Sequence, residues 1–200
     1  VIPRSHLARW VGVAAVILFA AWVVYQIFTN PGFQWNIVGK YMLHPRILQG
    51  VVMTCELTFL VMFIGTIIGI VVALMRLSRS PILSFCANGY LWFFRGTPLL
   101  VQLIIIYTGL PQLGLVRLSV LESALIGLAL NEGAYLSEIL RGGILSVHKG
   151  QTEAARALGL RPFQIFRQVV MPQALRVIIP PLGNSVNGLL KTTSIASVIS

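Results

Sequence analysis

Residues Glu153–Pro172 read EAARALGLRPFQIFRQVVMP and interrupt a very apolar chain with a polar, basic loop. Thr152 can N-cap a short helix that begins at Glu153, and Gly159 suits the left-handed position that ends such a helix. Pro162 can start a second short helix. Because helices this short are marginal alone in water, the pattern predicts a helix pair that docks onto another surface.

The composition is that of a membrane protein. Of 200 residues, 56% are hydrophobic and 10% are charged, and the mean hydropathy is +0.86. The net charge of +10 is spread among apolar runs, which excludes a nucleic-acid-binding class. Two cysteines without a CxxC pair and three scattered histidines indicate neither a disulfide framework nor a metal site. No phosphate-binding loop has the required spacing, so we expect no ATPase site and no catalytic residue in this chain.

The sequence predicts an all-α membrane protein with about five visible spans, since a helix needs about 20 apolar residues to cross a bilayer. The first span follows Arg4 and Arg9 and lacks a clear signal-peptide cleavage site, so we expect it to be retained. Asn30–Gln49 is expected to be an external loop with aromatic residues at the interface. The predicted spans are Trp10–Phe28, Gly50–Met75, a broken third span from about Pro81 to Gly109, Leu121–Leu140, and Pro172–Leu190, which Pro180-Pro181 interrupts.

Two further features concern packing and orientation. Gly65 and Gly69 in the second span form a small-xxx-small motif, which we interpret as a close helix contact. With a cytoplasmic N-terminus, all 15 basic residues except Lys40, Arg46, Arg117 and Lys191 lie inside or at the inner boundary. The positive-inside rule therefore predicts that the N-terminus and the Glu153–Pro172 loop are cytoplasmic.

Polar residues are costly within a span, and span four contains several. Asn131, Tyr135 and Glu138 share one face, and Glu132 lies beside that face near the middle of the span. Glu132 either binds a cationic group of a substrate or is a protonated or paired carboxyl at a helix contact. Glu138 is expected to pair with Arg141, one turn away.

Span five carries a second polar stripe. Asn184, Asn187 and Lys191 recur on one helical face after the proline pair. With Glu132 they would offer groups of both charges to a zwitterion. The alternative is that the asparagines bridge helices and Lys191 reaches the outer surface.

The loop resembles the EAA loop of ATP-binding cassette (ABC) importer permeases. That motif has Glu-Ala-Ala, three residues, Gly, nine residues, Ile, one residue and then Leu-Pro. Five positions match it: Glu153, Ala154, Ala155, Gly159 and Pro172. At the other two, Val169 replaces the usual Ile and Met171 replaces the usual Leu. The resemblance implies that this loop, residues 148–172 and hereafter the coupling loop, seats in a groove of an ATP-binding subunit. We expect the docking residues to be Glu153, Ala154, Ala155, Gly159, Phe163, Phe166 and Pro172.

Four more stretches are similar to those of polar amino acid permeases: Phe94–Gln102, Gly133–Gly143, Pro172–Arg176 and Lys191–Ser194. This resemblance implies a type I importer transmembrane domain over residues 50–200, with residues 1–49 as an extra N-terminal helix and external loop, and a final span missing or trimmed after Ser200. It also implies a prokaryotic inner-membrane location.

The implied partners are two ATP-binding subunits, a second permease subunit, identical or sister, and an external binding protein that delivers a polar amino acid. ATP and Mg would be used by the partners, with no cofactor bound by this chain. We expect the substrate path to involve Asn131, Glu132, Tyr135, Asn184, Asn187 and Lys191. The alternative function is a secondary transporter or channel that works without an ATPase.

Overall fold

The computed structural model describes residues 7–198, and within them the secondary structure is helical, without strands. The predicted all-α class is thereby confirmed. Arg4, which the sequence places beside the first span, lies outside the described residues. The chain divides into two compact units, Val1–Gly50 and Val51–Ser200.

The first unit contains two helices and the start of a third. Helix α1 spans Leu7–Thr29, and a 3-10 turn over Pro31–Phe33 leads to α2, Trp35–Met42. The Trp35 indole nitrogen donates to the Ile27 carbonyl at 2.9 Å, and its ring stacks on Phe28 and Phe33. One amphipathic side chain thus fixes the turn, in keeping with the place of tryptophan at membrane interfaces.

The segment Asn30–Gln49, expected to be an external loop, is largely helical, because α2 lies within it and α3 begins at Pro45. Helix α3 spans Pro45–Leu77 and covers the predicted second span. Proline suits the first helical position, and the Nδ1 atom of His44 accepts a hydrogen bond from the Arg46 backbone at 3.3 Å. A local N-terminal signal therefore extends the helix beyond its most apolar part.

The predicted third span is a bent pair of helical segments. Helix α4 spans Pro81–Gly96 and α5 spans Leu99–Ile104, and α5 continues through a π-helical segment, Ile105–Gly109, into α6, Leu110–Gln112. The helix axis bends by 105° between the two arms. Among the described residues, α1 and α3 are long and apolar enough to cross a membrane, and this bent pair makes a third candidate.

Helix α7, Val120–Leu145, is central to the second unit and packs against α4, α5 and α10. Ser119 and Glu122 form a capping box, in which the Glu122 carboxylate accepts from the Ser119 backbone at 2.7 Å. A Cβ placed on Gly69 of α3 would lie 2.9 Å from the Leu136 Cβ of α7. The glycine is needed for this close approach, which confirms that the Gly65–Gly69 motif mediates packing.

The remaining helices are α8, Lys149–Ala157; α9, Pro162–Ile165; and, after a π-helical segment over Phe166–Val170, α10, Met171–Thr192. The predicted N-cap at Thr152 is wrong. His148 Nδ1 instead accepts from the Gly150 backbone at 3.1 Å, which starts α8 one turn earlier, and Thr152 donates to the Lys149 carbonyl.

The expected interruption at Pro180-Pro181 is also wrong, since α10 is continuous through both prolines. Each proline removes one N–H donor, so the carbonyls of Arg176 and Val177 lose their helical partners. Such a defect is local, and membrane helices tolerate it where neighbouring groups satisfy the backbone. Helix α10 thus reaches from the coupling loop to Thr192 as one element.

Candidate functional site

The coupling loop has a small hydrophobic cluster of its own. Ala155 of α8 and Ile165 of α9 are 5% and 6% exposed, and they pack with the buried Val170. Gly159 joins the two helices with a φ of +78°, the left-handed conformation expected from the sequence. Pro162 starts α9 as predicted. The loop therefore has a defined shape.

The outer surface of this loop is partly apolar. Glu153 and Ala154 are exposed on α8, Phe163 is 71% exposed, and Phe166 is 38% exposed. Pro172 is exposed at the start of α10, whereas Ala155 belongs to the buried cluster. Sequence reasoning missed Leu158, which is 81% exposed beside Gly159. The position of this leucine directly before Gly159, at the end of a short polar helix, was the available signal.

A cavity of about 560 Å³ lies in the second unit, between α7, the end of α4, and α10. It is lined by polar and charged side chains together with aliphatic ones. The lining residues are Arg95, Leu99, Leu128, Asn131, Glu132, Tyr135, Glu138, Ile139, Ser185, Gly188, Leu189, Thr192 and Ile195.

The structure brings half of the predicted substrate path to this cavity. Asn131, Glu132 and Tyr135 all line it. The other three residues, Asn184, Asn187 and Lys191, are exposed and are not among the lining residues of the described chain. In α10 the lining stripe is instead Ser185, Gly188, Leu189 and Thr192, which lies about 100° around the helix from the predicted stripe.

Glu132 faces α10 across the cavity. Ser185 of α10 lines the same cavity as this carboxylate. Its Oε1 atom is buried and has no hydrogen-bond partner among residues 7–198. A buried acceptor without a partner is costly, so this oxygen is suited to receive a donor from a ligand.

Glu138 lies at the centre of a basic cluster. It pairs with Arg141 at 3.0 Å, as predicted from their spacing, and also with Arg76 of α3. Arg95 of α4 lies 4.0 Å away and contacts the face of the Tyr135 ring. Because three arginines surround one carboxylate, this end of the cavity keeps a net positive charge.

A pair of amides joins the bent helices to α7. Gln102 of α5 is 2% exposed, and its Nε2 atom donates to the carbonyls of Phe94 and Thr97 at 3.0 and 3.1 Å. Asn131 donates through Nδ2 to the Gln102 Oε1 atom and to the Phe94 carbonyl, both at 3.0 Å. Sequence reasoning missed Gln102, although an amide in an apolar run shortly after Pro98 was a signal.

Comparisons with known proteins agree with the loop and the fold. A family model described as "Binding-protein-dependent transport system inner membrane component" matches residues 65–200. Over 98% of its length, the chain is 38% identical to the arginine transport system permease protein ArgU of Corynebacterium glutamicum, and it spans 66% of that protein. It is 45% identical to the nopaline transport system permease protein NocM of Agrobacterium fabrum, over 78% of this chain and 68% of that one.

Two solved structures are also similar. The crystal structure of an amino acid ABC transporter with histidines has a TM-score of 0.75 and 41% identity, over 81% of this chain and 75% of that one. An inward-facing MetNI methionine ABC transporter has a TM-score of 0.62 at 23% identity, over 76% of this chain and 74% of that one, and shows the fold alone. The resemblance predicted from the coupling loop is confirmed, and the chain belongs to the family of inner membrane components of binding-protein-dependent transport systems.

Proposed function

We propose that this chain is the permease subunit of an ABC importer and forms the translocation path for a polar amino acid. The chain covers 66% of the arginine permease and 68% of the nopaline permease to which it is similar. These names describe transport of arginine and of nopaline, and the similar solved amino acid transporter was crystallised with histidines. An external binding protein delivers the solute, and a second permease subunit completes the path.

The coupling loop docks onto an ATP-binding subunit. Its outer face combines Glu153 and Ala154 with the exposed rings of Phe163 and Phe166, while Gly159 sets the angle between the helices. Each permease of the pair binds one such subunit, and those two subunits use ATP and Mg. The loop transmits motion and carries out no chemistry.

The continuity between the loop and the cavity wall is the observation that carries this proposal. The π-helical segment ending at Val170 continues directly into α10 at Met171, and α10 contributes Ser185, Gly188 and Thr192 to the cavity. A displacement of the docked loop therefore moves one wall of the cavity. ATP can shift the permease between two conformations only if the complex binds ATP with different affinity in those two conformations.

The cavity offers groups for both ends of an amino acid. Glu132 and Asn131 present oxygen acceptors, and Arg95 presents a cation that can bind a carboxylate. Tyr135 positions Arg95 by contact with its ring. The stripe of Asn184, Asn187 and Lys191 is exposed on α10, and we assign it to the part of the path that the second permease subunit completes.

Residues 50–200 form the importer core and residues 1–49 an additional helix and external segment. The protein is a multi-pass inner-membrane protein of a prokaryote. The N-terminus and the coupling loop are cytoplasmic, because most basic residues then fall inside.

Reconstitution tests this proposal. The permease, its ATP-binding subunits and its binding protein are placed in proteoliposomes, and uptake is measured across a panel of polar amino acids with ATP, without ATP, and with an ion gradient instead. ATP-dependent uptake of at least one polar amino acid is expected. Uptake driven by an ion gradient in the absence of any ATPase would instead establish the secondary-transporter alternative.

A further inference from the structure

The two amides beside the cavity have an orientation fixed by the backbone. A carbonyl oxygen only accepts hydrogen bonds, so the Gln102 atom that contacts the Phe94 and Thr97 carbonyls is its nitrogen. The Gln102 oxygen must then point toward Asn131, and only the nitrogen of Asn131 can satisfy it. This assignment follows from the acceptors themselves and needs no choice between amide rotamers.

The bend between α4 and α5 explains why these amides are needed. In an uninterrupted helix the Phe94 carbonyl would accept from the backbone N–H four residues later, but that residue is Pro98, which has none. Gln102 and Asn131 both donate to this carbonyl instead. The amide pair thus satisfies a carbonyl left free by the proline.

The consequence for Asn131 is that both of its N–H groups are occupied. One donates to Gln102 and the other to Phe94, each at 3.0 Å. Its Oδ1 atom makes no hydrogen bond to another residue in the described range 7–198 and is not among the buried atoms lacking a partner there. Since Asn131 lines the cavity, this oxygen is the atom that it offers to a ligand.

We propose that Gln102 is a positioning residue that sets the hydrogen-bonding polarity of the cavity wall. Together with the Phe94 carbonyl it holds Asn131 as an acceptor, and Glu132 adds an unpaired Oε1 atom to the same cavity, so this wall favours ligand groups that carry N–H donors, such as amides, ammonium and guanidinium. Groups that only accept are disfavoured, because they face oxygens. The inference rests on the proposed function, in which the ligand is the transported amino acid.

Binding to the purified complex of permease and ATP-binding subunits, without the external binding protein, tests this polarity. The probes are glutamine and methionine sulfoxide, which are both neutral and of similar length; only glutamine has N–H donors in its side chain. One hydrogen bond made or lost corresponds to about a tenfold change in Kd, so glutamine is expected to bind about tenfold more tightly.

Gln102→Met removes the amide while retaining most of the volume. Only the Phe94 carbonyl then restrains the Asn131 nitrogen, so the amide turns toward the cavity more often and the preference for glutamine is expected to fall. Thr97→Val is the matched control. It removes one hydroxyl acceptor of Gln102, at 2.8 Å, but leaves the two carbonyls that orient the amide, so the wild-type preference is expected to remain. Gln102→Leu serves as a second variant if the methionine variant does not assemble.

A purely structural role would weaken both ligands equally in the Gln102 variants, and that result would overturn the inference. Equal binding of both probes by the wild-type complex, or no binding of either, would overturn it as well. ATP-dependent uptake is measured in parallel after the same complex has been placed in proteoliposomes and the external binding protein has been added. Uptake without the predicted preference refutes only the positioning role, whereas absence of uptake refutes the proposed function.

Discussion

The guanidinium carbon of Arg95 lies 5.4 Å from the centre of the Tyr135 ring, and both side chains line the cavity. The two residues lie on different helices, α4 and α7. The contact therefore links the bent helix pair to the central helix at the end of the cavity that carries positive charge. It also restrains Arg95, whose nearest carboxylate, Glu138, is already paired with two other arginines.

Substitutions of Tyr135 test this contact. Tyr135→Phe keeps the aromatic face, so the KM for uptake is expected to stay within about twofold of wild type. Tyr135→Leu removes a cation–π contact of about 0.5–1 kcal/mol and is expected to raise KM about two- to fivefold. Equal KM values in the two variants would show that the ring does not position Arg95.

Glu132→Gln removes a charge from the cavity with little change in volume. A hydrogen bond to a charged group contributes about 1.5–3 kcal/mol, so KM for arginine is expected to rise about tenfold or more, and KM for citrulline much less. Glu56→Gln is the matched control, because Glu56 is exposed and lies outside the cavity lining. If basic and neutral substrates lose uptake equally in the Glu132 variant, Glu132 does not select cations.

Gly159→Val places a β-branched residue at a φ of +78°, where nothing lies within 4 Å of the new Cβ but the backbone conformation is unfavourable. The cost is about 1–2 kcal/mol, and the turn between α8 and α9 is expected to change. The predicted result is a lower ratio of solute taken up to ATP hydrolysed. Gly159→Asn is the control at the same position, since asparagine tolerates this conformation. A wild-type ratio in the valine variant would contradict the assigned role of the loop.

Substitutions of Phe163 and of Ile165 test separately the docking of the coupling loop and its folding. Phe163 is 71% exposed and Ile165 is 6% exposed, although they are two residues apart. Phe163→Ala is expected to leave the Tm unchanged and to weaken co-purification of the ATP-binding subunit, as loss of an aromatic interface residue does. Ile165→Ala is expected to lower the stability by about 2–5 kcal/mol through the cavity it leaves. Normal assembly of the Phe163 variant with the ATP-binding subunit would show that this ring is not part of the docking surface.

Gly65 and Gly69 are expected to differ in their tolerance of alanine. A Cβ on Gly69 would lie 2.9 Å from the Leu136 Cβ and 3.1 Å from a backbone nitrogen, whereas the nearest atoms to a Cβ on Gly65 are at 3.4 Å. Gly69→Ala is expected to destabilise the protein by about 1–3 kcal/mol, and Gly65→Ala by much less. Thermal unfolding in detergent measures the difference; equal Tm values would mean that α3 moves away from α7 at little cost.

Features set by neighbouring residues could be predicted from the sequence. The left-handed turn at Gly159, the start of α9 at Pro162 and the Glu138–Arg141 pair each depend on a few consecutive positions. Helical periodicity also identified a polar stripe on α10. It does not specify which of two adjacent stripes faces the cavity, and the cavity is lined by Ser185, Gly188, Leu189 and Thr192.

Contacts between distant residues could not be predicted in the same way. Asn131, which bonds to Gln102, and the arginines Arg76 and Arg95 near Glu138 come from other helices. Their proximity depends on how α3, α4 and α5 pack on α7. The early start of α8 was missed for a different reason, because a histidine acts as the N-cap where threonine was the more usual choice.

The buried cluster of Ala155, Ile165 and Val170 has a consequence for how such proteins diverge. Since the inner face of the coupling loop is packed by the loop's own residues and by Ile144 and Val147 just before it, its outer face can change without loss of internal packing. Selection for a new ATPase partner can therefore act on exposed positions such as Leu158 and Phe163 alone. Related importers can in this way acquire separate ATPases, or share one, while they keep the same loop architecture.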